Sequence, residues 1–278
     1  MNHLPPPAFR LFAFISVLGI SFAVMPALIQ AADTDPVPLV NYPFTFFSGD
    51  SSDTSDKPRP RNVVDGLEAS SIAWAGSGGG IGSGNNNNIY VRMSGSSSTY
   101  ARTVAATEAA AIECAENDTL PSYWSVTLTP DEGQLLNLST LVASVGAQTL
   151  SGAPSGDVIT AGFFIRSSRD DYATSIANDQ SGTPLVTVTG GGALTPVTAT
   201  FSLAGSLYQN ITTPVTFRIY AFATGKAGED KTAYNETIRL AGVTVNGNMA
   251  LATVPEPAAM AALCGGFAAA WFLLRKRR

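Results

Sequence analysis

The sequence predicts a mainly β protein: an antiparallel β-sandwich ectodomain, jelly-roll-like, over residues 63–250, with an N-terminal signal helix before it and a single C-terminal transmembrane helix after it. Three observations predict it. Eight short runs alternate apolar with polar residues or are rich in β-branched and aromatic side chains, as strands buried on one face require. The 26 glycines and 17 prolines, with clusters of Asn, Asp and Ser, punctuate those runs as turns do. An uncharged apolar stretch stands at each end of the chain, outside the alternating region.

At the N-terminus, Arg10 precedes the uncharged run Leu11 to Val24, and small residues, Ala31 and Ala32, stand just before Asp33. A basic residue, a short apolar run and a small-residue end make a signal peptide over residues 1–32, read by the Sec export machinery and cleaved after Ala31 or Ala32. The alternative is a retained anchor, for which the run is short. Residues 33–62 are expected to be a flexible segment carrying the first strand, Tyr42 to Phe47. Within it Asp50, Asp53 and Asp56 crowd carboxylates together as calcium would require. Their spacing departs from the EF-hand loop, and Lys57, Arg59 and Arg61 can neutralise them, so a solvated linker without metal is expected.

Across 63–250 the remaining strands are expected at Asn88–Met93, Tyr123–Thr129, Val158–Arg166, Leu185–Thr189, Val197–Leu203, Val215–Phe222 and Ile238–Val245. Ala105 to Ala115 dissents, being Ala- and Glu-rich without a β-branched run, and predicts a short helix. Gly76 to Asn88 is glycine-rich but matches neither phosphate-loop register, so it reads as a surface loop. The run from Val215 to Val245, two strands around a polar insertion, is similar in pattern to the ends of jelly-roll carbohydrate-binding modules.

Charge and residue usage exclude whole classes of function. Asp33 to Val254 carries 11 basic against 20 acidic residues, a net of −9, which repels phosphate backbones and argues against nucleic acid. The only histidine, His3, lies in the signal segment. Without it the ectodomain has no Ser-His-Asp or Cys-His catalysis and none of the usual zinc sites; no catalytic residue, metal or cofactor is expected. Cys114 and Cys264 are the two cysteines, one central and one in the final apolar run, so the ectodomain has no internal disulfide and Cys114 reads as a small buried residue.

Carboxylate-only chemistry stays open, because glycosidases need two acids at a suitable separation. Asp170-Asp171 is the most suggestive pair, yet neighbours on a strand face opposite ways, and a turn is expected there. Asn117, Asn137, Asn210 and Asn235 match the glycosylation sequon but read as turn residues. Trp74, Tyr90, Tyr123, Trp124, Tyr172, Tyr208, Tyr220 and Tyr234 are the candidates for stacking on sugar rings.

The C-terminus is the most specific region. Val254-Pro255-Glu256-Pro257 is followed by uncharged residues 258–274 and then by Arg275-Lys276-Arg277-Arg278. Seventeen residues of helix reach about 25 Å, near the lower limit for a bilayer, and the terminal cations hold that end in the cytoplasm. The prolines keep the preceding segment extended and open to a protease. In this order the three parts of residues 254–278 resemble the PEP-CTERM sorting domain. That resemblance implies a Gram-negative exported protein, anchored in the inner membrane until an exosortase-type membrane protease acts on Val254 to Pro257, and then cell-surface or extracellular. The expectation is a non-catalytic surface or matrix protein associating with extracellular polysaccharide; a carboxylate-dependent glycoside hydrolase or polysaccharide lyase and a purely structural coat protein stay open beside it.

Overall fold

The structure, a computed structural model, describes residues 37–43, 59–75, 79–81, 89–92, 104–117, 122–148, 158–189, 195–224 and 237–252, with Trp271 and Arg275. The chain divides into Met1–Asp33, outside the described residues, and Thr34–Arg278, which holds every element below. Ala31 and Ala32, the Asp50–Asp56 cluster, Tyr234, Asn235, Cys264 and the motif Val254 to Pro257 also lie outside the described residues, as do Lys276, Arg277 and Arg278. Trp271 and Arg275 are helical and exposed. Among the described residues no helix is long and apolar enough to cross a membrane.

Twelve strands and one α-helix are described. In chain order they are β1 (Val37–Tyr42), β2 (Leu67–Ala69), β3 (Ala73–Trp74), β4 (Gly79–Ile81), β5 (Ile89–Arg92) and α1 (Glu108–Asn117). There follow β6 (Tyr123–Pro130), β7 (Gln134–Gln148), β8 (Val158–Ser167), β9 (Leu185–Thr189), β10 (Thr195–Ser202), β11 (Val215–Thr224) and β12 (Thr237–Leu251). They form two antiparallel sheets. Sheet A runs β10-β7-β12-β5-β4, with β1 beside β5 on the same edge of β12; sheet B runs β2-β6-β11-β8-β9, with β3 beside β2 on β6. From β5 to β12 every connection crosses between sheets except β8 to β9.

Alternation explains how the sheets face each other. Along β6, Trp124, Val126 and Leu128 are buried while the residues between them are half-exposed. Ile159, Ala161, Phe163 and Ile165 of β8 and Phe217, Ile219 and Ala221 of β11 enter the same core as Leu141, Ala143 and Val145 of β7 and Ala199 and Phe201 of β10. Phe163 and Phe201, from opposite sheets, stand 5.7 Å apart and tilted, a preferred aromatic geometry. Burying such side chains contributes roughly 25 cal/mol per Å² of apolar surface.

The strand over Gln134–Gln148 has no counterpart among the expected runs. Its inward residues are Leu136 and Leu138, then Leu141, Ala143, Val145 and Ala147. Alternation slips at Ser139, which is passed over where Asn246 pairs with Thr140 and Gly247 with Leu138, a β-bulge. A Cβ on Gly247 would lie 2.1 Å from the Asn137 carbonyl oxygen, so this close strand approach requires glycine. The first strand lies at Val37–Tyr42 instead of Tyr42–Phe47, whose residues beyond Pro43 are outside the described set. It is pinned by reciprocal backbone bonds between Asn41 and Arg61.

The expected helix forms three residues later than its sequence suggests. Ala105 instead bridges to β11 beside Phe222, its carbonyl accepting from the Ala223 N–H at 2.9 Å, and Thr107 takes the cap, its Oγ1 accepting from the Ala110 N–H at 3.2 Å. Ala111 of α1 is buried with Ala105 against Phe164, Tyr220 and Phe222, which point out of sheet B. Cys114, in the same helix, is half-buried and free instead of fully enclosed.

Candidate functional site

Sheet B turns an unusual set of side chains away from the core. Outward positions on β6, β11 and β8 carry Tyr123; Arg218 and Tyr220; and Phe164 and Arg166. Tyr220 stacks on Phe164 at 5.0 Å and 9°, and meets Tyr123 at 5.0 Å and 57°. Both Tyr220 and Phe164 are buried, whereas Tyr123 is half-exposed. The result is an aromatic floor that α1 roofs at one end.

Tyr172 completes the site from the turn after β8. The segment Ser168–Asp170 is a single 3₁₀ turn, and Asp171 and Tyr172 follow with φ of 54° and 61°. Two consecutive non-glycine residues in the left-handed region are uncommon and strained. The turn is secured by Asp170, whose Oδ2 accepts from the Thr174 N–H at 3.0 Å and from the Thr174 hydroxyl. Arg166 donates from Nη1 to the Tyr172 carbonyl at 2.9 Å, which holds the tyrosine over the sheet. Asp170-Asp171 is therefore a turn, as its adjacency implies, and Asp170 is engaged within it.

Arg218 lies at the centre. Its guanidinium carbon is 3.7 Å from the centroid of Tyr172 and 4.5 Å from that of Tyr123, within cation–π range. Nη1 donates to the Tyr220 hydroxyl at 3.3 Å. Partial burial works against its charge, but the Tyr220 bond and the neighbouring tyrosines outweigh this and its pKa sits above the ordinary arginine value. Burial pushes the Tyr220 hydroxyl up, with Arg218 opposing the shift. Arg166 is buried beside Phe164, 5.6 Å from its ring centre, with Glu116 of α1 at 4.0 Å.

The other aromatic candidates divide by environment. Trp124 is core, with half-buried Trp74 against it at 5.0 Å. Tyr208 is buried, its hydroxyl bonded to Ser167 Oγ at 2.9 Å, and burial raises its pKa. Tyr123, Tyr172 and Tyr220 come together; the tyrosines were candidates from sequence, but Arg166 and Arg218 were not. Only the strand register, which sets Arg218 opposite Arg166, reveals them. Among the described residues no group of three His, Cys, Asp or Glu could hold a metal ion.

A second depression, of about 240 Å³, lies on sheet A between Asn137, Ser139, Gln209, Gly247 and Asn248. Its polar groups are largely engaged: Gln209 Nε2 donates to the Leu138 carbonyl at 2.8 Å, and Asn137 Oδ1 accepts from the Asn210 N–H at 2.8 Å. Two of the sequon asparagines thus fix a turn.

A search among curated proteins found no match. Among solved structures, the chain is similar to a "xylan-binding module CBM15" at 15% identity and TM-score 0.24, over 45% of this chain and 71% of that one. It is also similar to the N-terminal cellulose-binding domain of a Cellulomonas fimi β-1,4-glucanase C at 11% identity and TM-score 0.26, over 68% and 91% of the two chains. TM-scores this low carry no argument about ligand. The family model described as "PEP-CTERM protein-sorting motif" matches residues 253–278, a span that includes Val254 to Pro257 and Arg275 to Arg278. The chain therefore ends in a PEP-CTERM sorting motif.

Proposed function

We propose that this protein is exported, held at the inner membrane by its tail, processed there by an exosortase-type protease, and placed at the cell surface as a non-catalytic, polysaccharide-associating protein. The sorting motif supports the route. For the ectodomain we propose a jelly-roll sandwich, supported by the β5-β12-β7-β10 and β6-β11-β8-β9 strand orders with nearly all connections crossing between sheets.

The observation that carries the binding half is the Tyr123–Arg218–Tyr172 stack on the outer face of sheet B. Sugar rings are apolar on their faces and polar at their rims, so half-exposed tyrosines beside a fixed donor suit them. Full-length protein in non-ionic detergent is expected to sediment with the host's extracellular polysaccharide, and Tyr172→Ala to weaken this about tenfold, the loss of one good contact. Absence of binding by the unaltered protein rejects the reading. Intact mass of protein recovered from membranes and medium tests the route: a species lacking the residues after the motif is expected.

A structural coat is the second reading, favoured by the outer face of sheet A. There Ser144, Thr198, Thr140, Thr244 and Asn246 form a polar surface.

A further inference from the structure

Arg166 and Arg218 are direct cross-strand partners in the β8–β11 ladder. Ile165 and Ser167 on one strand and Phe217 and Ile219 on the other are buried on the core side, so both arginines leave the opposite face. Side chains at directly opposed positions have Cβ atoms about 5 Å apart, and like charges there are destabilising. A sheet places two cations in that relation only at a disadvantage.

Internal compensation is thin. Arg166 has one carboxylate, Glu116, at 4.0 Å, and that glutamate is 60% exposed. Arg218 has rings and a hydroxyl around it, with no carboxylate at ion-pair distance among the described residues. Arg166 is only 4% exposed, yet its Nε is buried without a hydrogen-bond partner. A buried donor on a charged group left unpaired is costly. Tyr172 joins the two arginines, its carbonyl receiving one guanidinium and its ring covering the other.

We infer that the Arg166–Arg218 pair seats a carboxylate borne on a sugar, so that the ligand is an acidic, uronate-containing polysaccharide; this rests on the polysaccharide reading above and narrows it. Arg218, half-exposed, makes the direct contact, and its planar fork of donors matches a carboxylate. Arg166 stands behind it, adding charge and fixing Tyr172. Tyr123 and Tyr172 supply flat surfaces for the sugar ring that carries the acid. The net −9 of residues 33–254 opposes a polyanion at long range, but screening at about 8 Å in physiological salt confines that effect to the approach. Contact is decided by the local pair.

The test uses full-length protein in non-ionic detergent with three probes: a galacturonate hexamer, its methyl ester, and cellohexaose. The ester keeps the backbone and removes the charge. The acid is expected to bind at least about tenfold more tightly than the ester, the scale of one or two charge-assisted hydrogen bonds, and Arg218→Gln is expected to bring the two to parity. Equal binding of acid and ester, or a preference surviving in Arg218→Gln, overturns the inference while leaving the polysaccharide reading intact. Binding of none of the three, together with no sedimentation on host polysaccharide, overturns both. If Arg218→Gln fails to fold, Glu116→Gln at its exposed helix position decides: removing the internal competitor is expected to raise affinity for the acid two- to threefold, and a fall overturns the inference.

Discussion

The two outer faces of the domain arise from the same alternation and are chemically unlike. On sheet A, short polar side chains satisfy one another across strands: Ser144 with Thr198 at 2.6 Å, Asn246 with Thr140 at 2.9 Å, Thr244 with Asn41 at 3.2 Å. Among the described residues of sheet B the same kind of pair stands at the margins, as Thr127–Thr216 at 2.8 Å and Thr160–Thr187 at 3.1 Å. Between those pairs stand three tyrosines, two phenylalanines and two arginines, partly roofed by a helix. Face A pairs hydroxyls and amides across its strands; face B keeps rings and two arginines, with one carboxylate, Glu116, beside Arg166.

The largest expected effect is on the floor of face B. Tyr220→Ala removes a ring that is 1% exposed and touches both Phe164 and Tyr123, and is expected to cost about 3–5 kcal/mol in denaturant unfolding, as large aromatic deletions do. A loss under about 1 kcal/mol would mean that α1 and the floor are independent of the core. On the opposite sheet, Gly247→Ala forces a methyl against the Asn137 carbonyl and is expected to cost about 1–3 kcal/mol. Sedimentation with polysaccharide should be unchanged, which would separate face A from the binding site.

A sharper contrast comes from Tyr172. Its φ of 61° is one glycine adopts freely, so Tyr172→Gly is expected to hold stability within about 1 kcal/mol of the parent while weakening binding about tenfold. Loss of both together would make Tyr172 a structural residue. The smallest effect is electrostatic and lies at the edge of face A. Asp179 accepts from the Thr200 N–H at 2.9 Å, bonds that hold its carboxyl below the usual aspartate range, with Gln180 assisting. Because the folded pKa is the lower one, this contribution is present above the ordinary value near 3.9 and is lost as pH falls through the folded pKa. Asp179→Asn is expected to flatten the acid limb of a stability–pH curve slightly, and an unchanged limb would count against it.

What sequence revealed does not divide by sheet: expected runs overlap β5, β10 and β12 of sheet A as well as strands of sheet B. Strands β6, β8, β9 and β11 of sheet B could be read from their β-branched and aromatic runs, which pair without a bulge. The long β7 could not, since Leu and Ala carry little strand preference and the bulge at Ser139 shifts the phase midway. Face B was half legible. Its tyrosines were candidates by type, but the pairing of Arg166 with Arg218 depends on register between distant strands, and the placement of Tyr172 depends on a left-handed turn. The tail was legible as an ordered combination because it is contiguous.

One feature of sheet A bears on how such a protein behaves under load. The strand before the tail, β12, is gripped by β7 along one edge and by β5 and β1 along the other, and Ala252 is still bonded to Gly133. The sorting motif begins at the next residue. Traction on the tail would enter the domain at a strand laddered along both edges. Rupture of a domain held by that tail would be set by an unfolding rate and not by equilibrium stability.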